Sequence, residues 1–193
     1  MSIINQEIAL ARLNSGFPIA FQTDTVPAIG CLPEFSEVIY EIKKRDRNKP
    51  LILMAADNYQ LKEFVKEAAV EDFEYIASKY WPGALTMVIP ISDKKKSFLT
   101  STNFSIGVRI PNSLMAKSLI EETGPLLTSS ANLSGMPVST TAERISVELP
   151  KVDILGPVPW DKCSGRSSTI ISWVNYRKWK LIREGQLSIS EAY

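Results

Sequence analysis

Between Ile42 and Leu51 five cations, Lys43, Lys44, Arg45, Arg47 and Lys49, stand against one acid, Asp46, in a chain whose formal net charge is only +1. Positive charge concentrated in this way suits a polyanion. A second segment, Thr128-Ser129-Ser130-Ala131-Asn132-Leu133-Ser134-Gly135, packs hydroxyls, an amide and a glycine together, the composition of a loop that offers hydrogen bonds to phosphate oxygens. A third, Thr23-Asp24-Thr25, carries hydroxyls that either read a polar substrate or simply close a turn. Each has an ordinary alternative. A run of cations is commonly a solvated face, and small polar residues with glycine are common turn material.

The chain contains no histidine. That excludes a Ser-His-Asp or Cys-His nucleophilic centre, His-ligated zinc and an imidazole general base. Phosphoryl or nucleotidyl transfer stays compatible, because positioning and charge neutralisation supply most of its acceleration. Neither GxxxxGK[ST] nor GxGxxG occurs, so nucleotide binding would use another cradle. Cys31 and Cys163 are too few and too distant for a disulfide scaffold or a zinc site with paired cysteines, and are expected to be structural.

The 193 residues, 45% of them hydrophobic, suit one domain spanning 1–193. No apolar run approaches the ~20 residues of a membrane helix, and Met1 to Glu7 lacks the features of a signal peptide, so a cytoplasmic location is expected. The pattern predicts a helix over Ile3–Leu13, stopped at Asn14-Ser15-Gly16, and a strand over Phe17–Phe21 that opens into the Thr23 turn. A second helix runs from about Glu34 into the basic cluster, with Lys43 and Arg47 on one face and Arg45 and Lys49 at its end. Leu51–Ala55 reads as a buried strand, placing the cations at a sheet edge, where α/β clefts bind ligands.

Asp57 caps a predicted helix through about Ala69, and Glu71–Tyr80 gives another, ended by Trp81-Pro82-Gly83, which is expected to be architectural. Strands are expected at Leu85–Ile89, Ser105–Ile110, Leu126–Thr128, Val152–Leu155, Ser168–Trp173 and Trp179–Ile182. Helices are expected from Asn112 to Thr123 and after Thr140-x-x-Glu143, which has capping-box spacing. Ile91–Thr100, with Lys94, Lys95 and Lys96, reads as a mobile solvated loop, and Ser188 begins a polar tail. The alternation argues for an α/β fold built on a mixed sheet.

The motifs taken together, Phe21-Gln22-Thr23-Asp24-Thr25-Val26-Pro27-Ala28-Ile29-Gly30, Lys43-x-Arg45-x-x-x-Lys49-Pro50-Leu51, Trp81-Pro82-Gly83-x-Leu85-Thr86, Val108-Arg109-Ile110-Pro111, Ser130-Ala131-Asn132-Leu133-Ser134-Gly135, Ser168-Thr169-Ile170-Ile171 and Leu181-Ile182-Arg183, resemble in order and spacing the YrdC-type threonylcarbamoyl-AMP synthases, as a single-domain member. The resemblance implies a twisted sheet, parallel and antiparallel, with flanking helices and a concave basic cleft. It implies synthesis of L-threonylcarbamoyladenylate and pyrophosphate from L-threonine, bicarbonate and ATP with Mg²⁺. The product would pass to partner enzymes that place threonylcarbamoyladenosine in tRNA. Binding of double-stranded RNA by the same concavity is also implied.

By the same resemblance, Lys43, Arg45, Lys49, Ser105, Ser130, Asn132 and Arg183 are expected to bind ATP, with Lys43 and Arg45 catalytic. Thr23, Arg109 and Ser168 are expected to hold threonine, Arg109 through its carboxylate. Ser130 and Asn132 would meet phosphate oxygens or help place Mg²⁺. Lys43 and Arg45 are expected to face solvent in the free cleft. The chain departs from the family pattern at Gln22, Pro27, Ala28, Met54, Arg166 and Ser167, mostly on the threonine side. Two other functions compete: an RNA-binding module of the same fold, which a sequence pI near 7.7 disfavours, and a related nucleotide hydrolase.

Overall fold

The computed structural model describes residues 2–98 and 104–189. In chain order its strands and helices are β1 (Ile3–Ile4), α1 (Gln6–Asn14), β2 (Ile19–Phe21), β3 (Ala28–Cys31), α2 (Glu37–Lys43), β4 (Ile52–Met54), α3 (Asn58–Lys62), α4 (Val70–Tyr80), β5 (Leu85–Pro90), β6 (Ser105–Arg109), α5 (Leu114–Thr123), β7 (Leu126–Ser130), α6 (Ala142–Glu148), β8 (Asp153–Leu155), β9 (Thr169–Asn175) and β10 (Lys178–Arg183). The strands form one sheet in the order β1-β8-β2-β3-β7-β4-β6-β5-β9-β10. Pairing is mixed: β4 and β6 run parallel, as do β5 and β9, while β7 is antiparallel to both β3 and β4. The expectation of a mixed α/β sheet with flanking helices holds.

Side chains alternate across the two faces of each strand, and this alternation builds two cores. Ile29, Leu53, Val108 and Leu127 join Ile39 and Tyr40 of α2, Phe73 and Ile76 of α4 and Ile145 of α6 on one face. On the other face Phe21, Ala28, Met54 and Leu126 meet Ala9 and Leu13 of α1 and Leu119 and Ile120 of α5. Along β7 this second face reads Leu126, Thr128, Ser130. It passes from hydrocarbon to hydroxyl within one strand, so apolar core gives way directly to a polar surface.

Several local expectations are corrected. The first helix starts at Gln6 rather than Ile3, because Asn5 caps it through a 2.9 Å bond from Ile8 N and Ile3 and Ile4 are spent pairing with β8. The helix after Asp57 is short, since Glu63 closes it, Val65 bridges to Ile91, and only a 3₁₀ turn, Glu67–Ala69, follows. Thr141, not Thr140, caps α6, accepting from Arg144 N. The lysine-rich stretch forms a 3₁₀ turn over Asp93–Phe98, in which Lys95 pairs with Glu63 and Lys96 with Asp93. Residues 99–100 of that stretch, and residues 190–193 of the expected tail, lie outside the described residues. No helix among the described residues is long and apolar enough to cross a membrane.

The second helix also ends early, at Lys43. Lys44 adopts the left-handed conformation at φ 50°, and Arg45 N reaches back to Tyr40 O at 2.9 Å, a closing pattern that satisfies the last carbonyls. The chain therefore reverses inside the basic cluster. Arg47 does not share a face with Lys43; it leaves the cleft to pair with Glu37.

Candidate active site

A cavity of about 120 Å³ is lined by Thr25, Val26, Ala28, Arg45, Pro50, Ile52, Met54, Arg109, Thr128, Ser129, Ser130, Ser167, Ser168 and Arg183. Ala28 belongs to β3 and Arg183 to β10, with β7, β4, β6, β5 and β9 between them in the sheet. With strands spaced ~4.8 Å apart, a cavity this small touches both only because the sheet curls upon itself.

The register orders the cavity. Met54 lies opposite Arg109 and Leu126, and Ile52 opposite Gly107 and Thr128, while Ser130 lies opposite Ala28. One end of the cavity therefore holds Arg109, and the other holds Pro50, Arg45 and Ser130, roughly 13 Å apart along β4 at ~3.3 Å per residue. Gly107, between them, has no side chain; a Cβ there would make ordinary contacts of 3.6 Å with Ile52 and Thr86.

At the first end Arg109 is 3% exposed. Its Nε donates to Gly83 O at 3.1 Å, one terminal nitrogen to Thr25 Oγ1 at 2.8 Å and the other to Asp24 Oδ1 at 2.6 Å. Two of the five guanidinium N–H groups stay uncommitted to these partners. Burial lowers the Arg109 pKa, Asp24 opposes that shift, and the neighbouring Arg183 adds to it; at such intrinsic basicity the group keeps its charge. The Trp81-Pro82-Gly83 segment supplies the Gly83 carbonyl, and Gly83 has no room for a side chain, since a Cβ would lie 2.6 Å from Tyr80 O. Ser168 completes this end, its Oγ 2.8 Å from Thr86 Oγ1 and its carbonyl accepting from Arg183 at 2.8 Å.

At the second end Arg45 is half-buried, fixed by its own chain through Nε to Lys49 O at 2.9 Å and a terminal nitrogen to Pro50 O at 3.0 Å. Burial lowers its pKa, with Tyr40 and Asp46 opposing. Arg183 is lowered by burial as well. Three guanidinia thus border one cavity, an arrangement suited to an anion with several charges.

The structure separates the expected site residues. Arg45, Arg109, Ser130, Ser168 and Arg183 meet in the cavity. Lys43 does not face solvent: it is 1% exposed, and its Nζ donates to Ser130 O, Asn132 O and, at 3.4 Å, Asn132 Oδ1. Burial drives its pKa down to about 8, and Arg45 adds to the shift. Asn132 is 5% exposed and does not line the cavity.

Thr23 also turns inward, 1% exposed, donating to Val26 O at 2.7 Å, and Thr25 takes the lining position instead. Lys49 is exposed and offers the site only its carbonyl. Ser105 lies on the same face as Arg109 at the far end of β6, carried by the register to beside Pro50, outside the lining. Ala28, Met54 and Ser167, expected only as departures from the family pattern, line the cavity, as do Thr25 and Ser129, which stood in the hydroxyl-rich segments without a role of their own, while Asp24 pairs with Arg109. For Thr25 and Asp24 the signal was present in the hydroxyl-rich turn.

Gly185 fixes the far wall. Its N–H donates to Thr169 Oγ1 at 2.9 Å, and a Cβ would lie 2.3 Å from Ser167 O. Gln22, a departure from the family pattern, anchors the loop opposite through Nε2 to Asp161 O at 2.6 Å. Cys31 is a free buried thiol, pushed up to about 12 by burial, and Cys163 is free and half-buried. Neither faces the cavity. Among the described residues no three His, Cys, Asp or Glu side chains converge to hold a metal ion.

A curled, mixed α/β sheet that closes three guanidinia and several hydroxyls around one cavity has the architecture suited to a ligand with several negative charges. The Sua5_yciO_yrdC family model, described as Telomere recombination, matches residues 11–185, and the chain belongs to this family. It is 36% identical over 151 residues to the threonylcarbamoyl-AMP synthase of Bacillus subtilis, covering 76% of this chain and 43% of that protein. It is 34% identical over 151 residues to the enzyme of the same name from Vibrio parahaemolyticus, covering 75% of this chain and 81% of that one. Among solved structures, P. abyssi Sua5 complexed with L-threonine superposes with a TM-score of 0.84 at 31% identity, over 94% of this chain and 54% of that one. E. coli YciO superposes at 0.78 and 23% identity, over 98% and 94%, a likeness of fold.

Proposed function

We propose that this chain, folded as one domain over residues 1–193, is a nucleotidyltransferase that forms L-threonylcarbamoyladenylate and pyrophosphate from L-threonine, bicarbonate and ATP, for threonylcarbamoyladenosine modification of tRNA in the cytoplasm. The observation that carries this is the two-ended cavity: a paired, buried guanidinium at Arg109, and roughly 13 Å along β4 a second cationic end at Arg45 and Pro50. The likeness to a Sua5 chain that binds L-threonine supports assigning the Arg109 end to the amino acid.

Threonine sits with its carboxylate on the free N–H groups of Arg109, beside Thr25 and Ser168. Its amine and bicarbonate condense to a carbamate with loss of water. A carbamate oxygen attacks the α-phosphorus, the bond to the bridging α–β oxygen breaks, and pyrophosphate leaves toward Arg45. The arginines hold the charge that accumulates on the phosphates, so no histidine is needed. Among the described residues no cluster of carboxylates would cage a metal ion; Mg²⁺ brought by ATP would neutralise phosphate charge, and Ser130 Oγ is the side-chain oxygen at this end that would face it. Partner enzymes that transfer the threonylcarbamoyl group to tRNA take the product. Pyrophosphate release by the purified chain, with threonine and bicarbonate each present or omitted, tests the reaction. Release that requires both is expected; release that requires neither overturns it.

A further inference from the structure

We propose that Lys43 and Asn132 are positioning residues, a buried tether that sets the place and hydroxyl orientation of Ser130 without touching the ligand. This rests on the assignment of the Ser130 end to ATP. A protonated lysine has three donors and no acceptor, and all three donors of Lys43 find oxygens of one loop: the carbonyls of Ser130 and Asn132 and the side-chain oxygen of Asn132. The Asn132 amide is equally committed. Its two Nδ2 protons go to Leu133 O at 3.0 Å and Met136 O at 2.6 Å, and its Oδ1 takes both Lys43 and Ser130 Oγ, the latter at 2.6 Å. Nothing on either side chain is left for a phosphate.

The backbone repeats the pattern. Ser134 N donates to Lys43 O at 3.0 Å and Ala131 N to Pro27 O at 2.8 Å, so the end of α2 and the strand entering β3 grip the loop from two sides. Because the Ser130 hydroxyl proton points at Asn132 Oδ1, its lone pairs remain for the cavity. The hydroxyl presents an acceptor, suited to a cation or a water, rather than a donor to phosphate. Arg45, two residues beyond Lys43, remains in the cavity lining, so the two cations separate into one that holds the loop and one that holds the ligand.

Three measurements decide it. In the unaltered protein, the ¹⁵N resonance of the Lys43 ammonium should exchange slowly before ATP is added and keep its chemical shift after; a large shift, or scalar coupling to a ³¹P nucleus of ATP, overturns the proposal. In Lys43→Met, amide hydrogen exchange over residues 131–136 should accelerate about tenfold or more. Pyrophosphate release should show strong non-additivity with Asn132→Ala and near-additivity with Arg45→Ala. Unchanged exchange in this loop, or additivity with Asn132→Ala, overturns the tether. Should the unaltered chain release no threonine-dependent pyrophosphate, the proposed reaction falls while the ammonium resonance and the exchange rates still decide the tether.

Discussion

Asp24 Oδ1 lies 2.6 Å from the Arg109 guanidinium, so this buried cation is already paired before any ligand reaches the cavity. A lone buried guanidinium would carry a large desolvation cost. Pairing offsets that cost and leaves the remaining N–H groups directed by three fixed partners.

Removing Arg109 therefore strands a largely buried carboxylate. Arg109→Ala should destabilise the fold by about 3–5 kcal/mol, read from urea unfolding. Arg109→Lys keeps the charge but loses the forked geometry, and should raise the threonine concentration needed for half-maximal pyrophosphate release by about tenfold with a smaller loss of stability. An unchanged threonine response in Arg109→Lys would remove this residue from the amino acid end.

Arg45 is held by the Lys49 and Pro50 carbonyls of its own turn and borders the cavity. Arg45→Ala should cut pyrophosphate release by about 10²-fold or more while the melting temperature, followed by calorimetry, moves little. Loss of activity accompanied by collapse of the melting temperature would make Arg45 a structural residue.

The Lys43 ammonium should leave its mark on the pH dependence of stability. Its pKa falls from 10.5 to about 8 on folding, so between those values the unfolded chain holds the proton and the folded chain does not. The penalty for burying the charge is fully present below pH 8 and is relieved as pH rises toward 10.5. Unfolding free energy measured from pH 7 to 10 should rise in the unaltered protein relative to Lys43→Met. A pH-independent difference would show that Lys43 titrates near its unfolded value.

Gly185 makes the closest backbone approach at the site. Gly185→Ala would drive a Cβ into Ser167 O, Ser168 C and Thr169 N, all within 2.5 Å, and none of these is a side chain that can swing away. A loss of about 2–3 kcal/mol and a weakened threonine response are expected in calorimetry and kinetics, because Ser168 moves with the displaced strand entry.

Most of the strands and the positions of the site motifs were legible in the sequence, since apolar runs such as Leu51–Ala55 and Leu126–Thr128 signal buried strands wherever they pair. The roles inside the motifs were not. Lys43 and Arg45 are both cations two residues apart, yet the left-handed Lys44 between them sends one into the protein and the other to the cavity. Thr23 and Thr25 are the same residue on one turn, and only the turn's closure on Val26 O decides which hydroxyl is spent. β3 went unrecognised because Ala28-Ile29-Gly30-Cys31 lacks an alternating pattern, being buried on both faces. Side-chain type is written in the chain, whereas side-chain direction awaits the tertiary contacts that set it.

The curl that brings β10 round to face β3 also sets a schedule during synthesis. Thr25, Arg45 and Arg109 leave the ribosome before the wall carrying Ser168 and Arg183. A nascent chain can therefore assemble most of its sheet and still have no closed pocket. Ligand binding then reports that translation has passed Arg183, and a chain cut short before that residue would present its basic face to the cell without an enclosed place for a substrate.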